Sequence, residues 1–526
     1  MSTPVTRLPR RYNAAVDFVE RHLVEGRGAH VAYVDHAGET TYAQLADRVA
    51  RIATIVRALG VAPEQRVLLC LHDTADFPAV FFGAIRAGVV PVPVNTLLTA
   101  ADYAYFLADS RARVLFVSDA LLPKLAPALA GLADPPRVVV VASPMAPGGD
   151  LLGPDSHPTL TTLLADAEPL ALAADTTADD VAFWLYSSGS TGAPKGAIHL
   201  HSHLAHTAEL YGRGVLGIHA DDIVFSAAKL FFAYGLGNAM TFPLYVGATA
   251  VLLADRPTPA AVMRVLEAHQ PTIFCGVPTL FASMLADASI ADARGSARLR
   301  ASISAGEALP RHTGERWRAR FGTDVLDGIG STELLHIFLS NRHDDVRYGT
   351  TGKPVPGYDV KLLDEEGRPV ADGEEGALWV SGPSCCVAYW NQRERSLATF
   401  HGPWMRTGDR YVRDAAGLFT YVGRGDDMLK VGGIWVSPFE VESALSAHAA
   451  VLECAVVGHP DGDGLIKPRA FVVLVAGLAA SDALVAELKA FVKATLAPYK
   501  YPRWIDVVDE LPKTATGKIQ RFKLRG

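Results

Sequence analysis

Between Thr41 and Gly60 the apolar residues Tyr42, Leu45, Val49, Ile52, Val56 and Leu59 recur at spacings of three and four, the repeat of one helix face. Thr41 and Gln44 have capping-box spacing, and Gly60 stands where such a helix stops. The pattern then shortens. Residues 66–71, 89–94, 113–117 and 137–142 are brief, strand-like apolar runs, and 77–87 is a small-residue stretch that reads as a helix. Strands alternating with helices predict an α/β fold built on parallel sheets with both faces covered. Residues 120–180, rich in Ala, Pro and Asp, otherwise read as connecting structure. Residues 181–186 (VAFWLY) form one more strand-like run.

The character changes after Gly423-Arg-Gly-Asp-Asp-Met428. A helix in VSPFEVESAL, strands near 452–457 and 470–475, and a helix over 481–496 make a compact α/β unit. The expected division is a large N-terminal domain, 1–425, built of stacked sheets and helices, and a small C-terminal α/β domain, 426–526. No tandem repeat is evident.

Composition narrows the function classes. At roughly 150 residues per domain, 526 residues carry three to four domains' worth of core. With 49% apolar and 20% charged residues, the chain can bury it. A net charge of −7 leaves no basic footprint for nucleic acid or an anionic membrane, and neither is expected as a partner. Arg7, Arg10 and Arg11 precede no apolar leader core, and no uninterrupted apolar run of about 18 residues occurs. The five cysteines are scattered without a CxxC pair, which speaks against a disulfide framework or zinc site and suits a reducing cytoplasm.

Directly after the strand-like run comes Tyr186-Ser-Ser-Gly-Ser-Thr-Gly-Ala-Pro-Lys-Gly196. Gly189 and Gly192 let backbone N–H groups approach an anion closely. Ser187, Ser188, Ser190 and Thr191 add hydroxyl donors, and Lys195 adds charge. Lys195 is followed by Gly196, so this is not the Walker A arrangement, which needs Lys-Ser/Thr.

This loop resembles that of the adenylate-forming superfamily: acyl-CoA synthetases, nonribosomal adenylation domains and luciferases. Five further strings of that family follow in order: Ser304-Ala-Gly-Glu-Ala308, Gly330-Ser-Thr-Glu333, Trp404-Met-Arg-Thr-Gly-Asp409, Gly423-Arg-Gly-Asp-Asp427 and Pro512-Lys-Thr-Ala-Thr-Gly-Lys518. The resemblance implies two half-reactions. A carboxylate attacks the α-phosphorus of ATP and expels pyrophosphate, and the thiol of coenzyme A then displaces AMP. It also implies roles. Thr332 donates to the α-phosphate and Glu333 is the magnesium-associated carboxylate. Gly306, Glu307 and Asp327 join the nucleotide site, and Ile329 offers apolar packing where many relatives stack a Tyr on adenine. Asp409 and Arg424 hold the ribose. Lys518 reaches the carboxylate and α-phosphate oxygens and stabilises charge as it shifts between them. Asp426 is the hinge of a C-terminal domain that rotates between half-reactions, bringing Gly432 and Gly433 to the thiol tunnel.

The segments KLFFAYGLGN (229–238) and GSTELLHIFLSN (330–341) resemble those of benzoate-CoA ligases. That resemblance puts Phe232 at a gate and Ala233, Tyr234, Gly330, His336 and Ile337 around an aromatic ring. His336 is left to bond the carboxylate or simply to pack. Lys430 is left between the acyl carboxylate, the thiol tunnel and the surface. An AMP-forming aryl-CoA ligase is expected, its partners a small aromatic carboxylate, ATP and CoA, with a homodimer implied by the resemblance. Hydroxy-, amino- or fluorobenzoate, or loading of a carrier protein, are the alternatives. An inactive nucleotide-binding protein on this fold would be expected to have lost Lys518, Glu333 or Asp409.

Overall fold

The computed structural model describes residues 7–145, 157–187, 193–291, 293, 295–425, 427–431, 434–462, 465–497, 500–513 and 519–525. The predicted first helix spans Tyr42–Ala58. The Thr41 side chain accepts from the Gln44 backbone while Gln44 reaches back to the Thr41 N–H, so two end groups that helices leave unpaired are satisfied. Gly60 follows at φ +76°. The face carrying Leu45, Val49, Ile52 and Val56 is buried, worth roughly 1.5–3 kcal/mol for each large aliphatic side chain. It packs on the helix Asp76–Arg86, where a Cβ on Gly83 would lie 2.5 Å from Ile52 Cγ2. Only a glycine allows that approach.

The parallel arrangement holds for two sheets. One orders Val90–Pro93, Arg66–Cys70, Val114–Ser118 and Arg137–Val141, all parallel. The other has nine strands. Its centre, Thr249–Val251, Ile223–Ser226, Ile273–Gly276, Ala301–Ser304 and Val325–Gly330, is parallel. One flank adds Val31–Asp35 in parallel and then Gly38–Thr41 antiparallel; the other adds Ile337–Ser340 and Lys353–Pro354 antiparallel.

One region carried no expectation from sequence, and one expectation needs correction. Residues 359–424 form a third, antiparallel sheet of Asp359–Leu363, Glu375–Ser381, Phe400–His401, Trp404–Arg413 and Phe419–Arg424. The segment 120–180 holds the helices Leu122–Ala130 and Leu160–Asp166. Pro123 lies in the first turn of the former, where its missing N–H costs nothing, and Leu125 and Ala128 are buried.

Beyond Arg424 the short strands Leu429–Val431 and Ile434–Val436 lead into the helix Pro438–Ser446 and a sheet of Val451–Pro460, Ile466–Leu474 and Trp504–Val507. Ser437 and Ser481 cap the two helices of this region, the second being Asp482–Thr495. Leu429, Val436, Leu445, Val456, Leu488 and Val492 form a core of their own. Within it the buried Glu442 carboxylate takes two bonds from Arg521, at 2.6 and 3.0 Å. That fork ties the C-terminal tail to the small core. The chain is thus an α/β protein with a large N-terminal domain and a small C-terminal one. No helix among the described residues is long and apolar enough to cross a membrane.

Candidate active site

The anion loop joins two antiparallel strands, Val181–Ser187 and Lys195–Leu200, paired so that Ser187 faces Lys195. Residues 188–192 (Ser188, Gly189, Ser190, Thr191 and Gly192) lie outside the described set, as do Asp426, Gly432, Gly433 and Lys518. The following stem is held firmly. Tyr105 Oη and Gln392 Nε2 donate to the Pro194 carbonyl at 2.8 and 3.2 Å, and Arg395 donates to that of Ala193 at 3.1 Å.

Glu333 stands at the centre of the site. Its residue is 9% exposed, and three groups converge on Oε1: Ser187 Oγ at 3.1 Å, Tyr389 Oη at 2.8 Å and Lys195 Nζ at 3.9 Å. Oε2 has no hydrogen-bond partner among the described residues. Lys195 Nζ also donates to Tyr389 Oη at 3.3 Å and lies 4.4 Å from the ring centroid, a cation–π contact. Burial, then the Glu333 charge, raises the Tyr389 phenol, which stays protonated and donates. The backbone beneath is pinned as well. The Cys386 N–H donates to the Glu333 carbonyl at 2.7 Å, and His199 Nε2 donates to the Thr332 carbonyl at 2.8 Å. Burial drives His199 down to about 4, so its imidazole is neutral at pH 7. The neighbouring Cys385 thiol is pushed up to about 12 by burial and then by Glu333, which makes it a poor nucleophile.

Glu333 follows the strand Val325–Gly330. There Asp327 lies in register with Ser304, the first residue of the Ser-Ala-Gly-Glu string. Burial raises the Asp327 carboxyl strongly. Gly306 has φ +93°, a left-handed conformation that favours glycine. It turns the chain to Glu307, whose carboxylate accepts from Thr279 Oγ1 at 3.0 Å and from the Ile519 N–H at 3.3 Å. Ile519 is the residue after Lys518. A contact therefore runs from the small domain's tail to the Ser-Ala-Gly-Glu string of the large domain. On the third sheet Asp409 is paired with Arg424 across adjacent strands, and Arg424 Nη1 donates to Asp409 Oδ1 at 3.4 Å and to the Thr407 carbonyl at 3.1 Å. Tyr411 is raised by burial and then by Asp409, with a smaller push from Asp327. The two carboxylates thus act on one tyrosine.

The acyl segment is more enclosed than its composition suggests. Phe232 precedes the short helix Ala233–Leu236 and packs on Phe231 with centroids 4.5 Å apart. Tyr234 Oη lies between the carbonyls of Ile303 (3.0 Å) and Gly276 (3.1 Å). His336 is sandwiched between Tyr234 and Tyr211, at centroid distances of 5.7 and 5.2 Å, with Phe242 edge-on at 4.5 Å. A Cβ on Gly237 would lie 2.3 Å from the His336 ring, and one on Gly330 would lie 2.6 Å from the His336 carbonyl. Gly330 and Ile337 face each other across the strand pair. Burial lowers His336 to about 3. Its Nε2 donates to the Tyr234 carbonyl at 3.3 Å, so Nδ1 carries a lone pair and cannot donate to a carboxylate. Of the two readings of His336, this geometry favours packing. Lys430 lies on the strand Leu429–Val431.

Two participants were missed from sequence. Tyr389 is distant from both the loop and Glu333 in the chain, and no spacing flags it. His199 had a signal: residues 195, 197 and 199 share one face of a strand, which puts His199 on the same face as Lys195, roughly 13 Å further along it.

Residues 20–390 match the AMP-binding enzyme family and residues 440–518 its C-terminal domain. The chain is 59% identical to a benzoate-CoA ligase of Thauera aromatica, over 99% of this chain and 97% of that one. It is 51% identical to a 4-hydroxybenzoate-CoA/benzoate-CoA ligase of Rhodopseudomonas palustris, over 98% and 94%. The crystal structure of a benzoate CoA ligase from Burkholderia xenovorans superposes with a TM-score of 0.90 at 53% identity, covering 98% of this chain and all of that one. With Ser187 and Lys195, at the two ends of the loop, brought to Glu333 and both domains matched, the chain belongs to the AMP-binding, adenylate-forming enzymes.

Proposed function

We propose that the chain is an AMP-forming aryl-CoA ligase that converts benzoate, ATP and CoA to benzoyl-CoA, AMP and pyrophosphate. The observation that carries this is the Ser187–Glu333–Lys195 cluster at the foot of the loop, with Gly330 and Ile337 facing each other on the strands that flank Glu333 and Tyr234 stacked on the neighbouring His336. The loop hydroxyls and Lys195 hold the nucleotide phosphates, Glu307 flanks them, and Thr332 donates to the α-phosphate. Asp409 and Arg424 bind the ribose, and Asp327 and Ile329 line the adenine side. Phe232, Ala233, Tyr234, Gly330, His336 and Ile337 enclose the ring, with His336 as a wall.

A carboxylate is a poor electrophile, so the first step makes the mixed anhydride with AMP. Catalysis there is positioning and charge neutralisation. Glu333 fits a magnesium ion, since it is a hard oxygen donor with Oε2 left open by its described neighbours. The ion supplies charge neutralisation at the phosphates. Lys518 stabilises the shifting charge at the reacting oxygens. The contact from Ile519 to Glu307 supports a resting arrangement poised for this first step.

For the second step we place the domain boundary at Gly425/Asp426, with Asp426 as hinge. The small domain turns so that Lys430, Gly432 and Gly433 border the CoA thiol's path. Asp426→Pro is expected to leave benzoate-dependent ATP–pyrophosphate exchange within about twofold and to slow thioester formation by roughly tenfold or more. Unchanged thioester formation would refute the hinge.

The reaction itself is tested by exchange of labelled pyrophosphate into ATP, with and without benzoate and CoA. Benzoate-dependent exchange without CoA, and benzoyl-CoA with it, are expected; no exchange with any aryl acid rejects the reading. A second substrate, 4-hydroxybenzoate, is favoured by the relative that takes both acids, and a hydrophobic slot rejects an added hydroxyl by only about a hundredfold. A panel of substituted benzoates ranks them. A homodimer, open to sedimentation, and a cytoplasmic setting complete the reading.

A further inference from the structure

Lys195, first residue of the strand Lys195–Leu200, and Glu333, in the turn between Val325–Gly330 and Ile337–Ser340, carry opposite charges at the nucleotide site, yet they do not close into a contact pair. Their nearest atoms are 3.9 Å apart, against the 2.7–2.9 Å of a charge-assisted bond. The Tyr389 hydroxyl bridges them, accepting from Lys195 Nζ at 3.3 Å and donating to Glu333 Oε1 at 2.8 Å. The ring below takes the ammonium at 4.4 Å from its centroid. Tyr389 is itself fixed. It is 4% exposed and packs on Phe400 at 5.2 Å, and its backbone N–H donates to Ser396 Oγ at 3.0 Å. Neither the ring nor the hydroxyl can readily swing away.

On the proposed reading both charged groups serve the phosphates: Lys195 directly, and Glu333 as the carboxylate that would hold the magnesium ion. A contact pair would spend each on the other. A partly buried pair in that state would have to be pulled apart before Mg·ATP could bind, and the separation would weaken binding.

We propose that Tyr389 is a positioning residue, a spacer whose hydroxyl keeps Lys195 and Glu333 apart in the ATP-free enzyme and bonds the same Glu333 oxygen as Ser187 Oγ, leaving the other for the metal–nucleotide complex. This rests on the proposed ligase reading of the site. Tyr389→Phe keeps the ring and its packing and removes only the spacer oxygen.

Three measurements on the full chain test it. Calorimetry with Mg·ATP should show a dissociation constant about tenfold higher in Tyr389→Phe. Exchange with benzoate should show the loss mainly in KM for ATP. The turnover of presynthesised benzoyl-AMP with CoA should stay within about twofold, a step that needs no phosphate binding by Lys195. Adding Lys195→Met to Tyr389→Phe removes the collapsing partner, so the double variant should lose no more Mg·ATP affinity than Lys195→Met alone. An unchanged dissociation constant in Tyr389→Phe overturns the spacer, and so does an equal loss of both half-reactions, which marks a structural role. If the unmodified chain shows no benzoate-dependent exchange while Tyr389→Phe still weakens Mg·ATP binding, the substrate reading fails and the spacer stands.

Discussion

Lys518→Ala is expected to cut benzoate-dependent ATP–pyrophosphate exchange by on the order of 10²–10³, the cost of losing one preorganised charge contact at a developing oxyanion. The thioester-forming step from presynthesised benzoyl-AMP should remain within about twofold, because there the anhydride already exists. The physical reason is local. Ile519 donates to Glu307 on the large domain, and Arg521 is clamped to Glu442 in the small one. Lys518 is thus next in the chain to a residue that bridges the domains. An ammonium on a four-carbon stem adapts to two successive oxygens, whereas the planar guanidinium of Lys518→Arg does not, so arginine should rescue only in part. The two half-reactions are measured separately, by exchange and by release of AMP from benzoyl-AMP. If both fall together, Lys518 is not specific to adenylation.

Glu333→Gln should lower adenylation by a similar factor of roughly 10²–10³ while leaving the fold almost untouched. An amide oxygen can still accept from Ser187 Oγ and Tyr389 Oη, which now meet Oε1 at 3.1 and 2.8 Å. The charge is what disappears, and with it the affinity for a hard dication. A magnesium titration of the exchange reaction should saturate for the unmodified chain and stay unsaturated for the variant, with melting temperatures within a few degrees. An exchange rate within threefold of the parent at saturating magnesium would remove Glu333 from the metal's neighbourhood.

These predictions use residues that differ in how they could be found. The first helix was legible because its cap and its apolar face obey one repeat, Thr41 and Gln44 closing what Leu45 to Val56 begin. The Gly-Ser-Thr-Glu string was legible because its chemistry is contiguous. The third sheet was not legible: Gly376, Leu378 and Val380 of Glu375–Ser381 are buried, but Ala377 and Trp379 between them are apolar too, so the period of two that would mark an antiparallel strand with one wet face is hidden. The helix Leu122–Ala130 was masked by Pro123 and Pro127, which read as breakers until one sees the first in an N-terminal turn. Tyr389 was out of reach because its partners are set by tertiary packing alone. The tautomer of His336 was out of reach for another reason. It depends on a carbonyl, Tyr234's, and every residue has one.

The strand Val31–Asp35 meets its parallel neighbour Thr249–Val251 more than two hundred residues further along the chain, Tyr33 opposite Ala250. During synthesis at 5–20 residues per second, the early strand waits about 10–40 s for that neighbour to emerge. Until then only the local hairpin with Gly38–Thr41 covers one of its edges. The other edge is open to any passing strand. The four-stranded parallel sheet, complete by Val141, lies between them in the chain and can assemble during the wait. Birth order on the ribosome thus favours closing the smaller sheet first and leaves the nine-stranded one, which leads into Glu333, exposed to mispairing for longest.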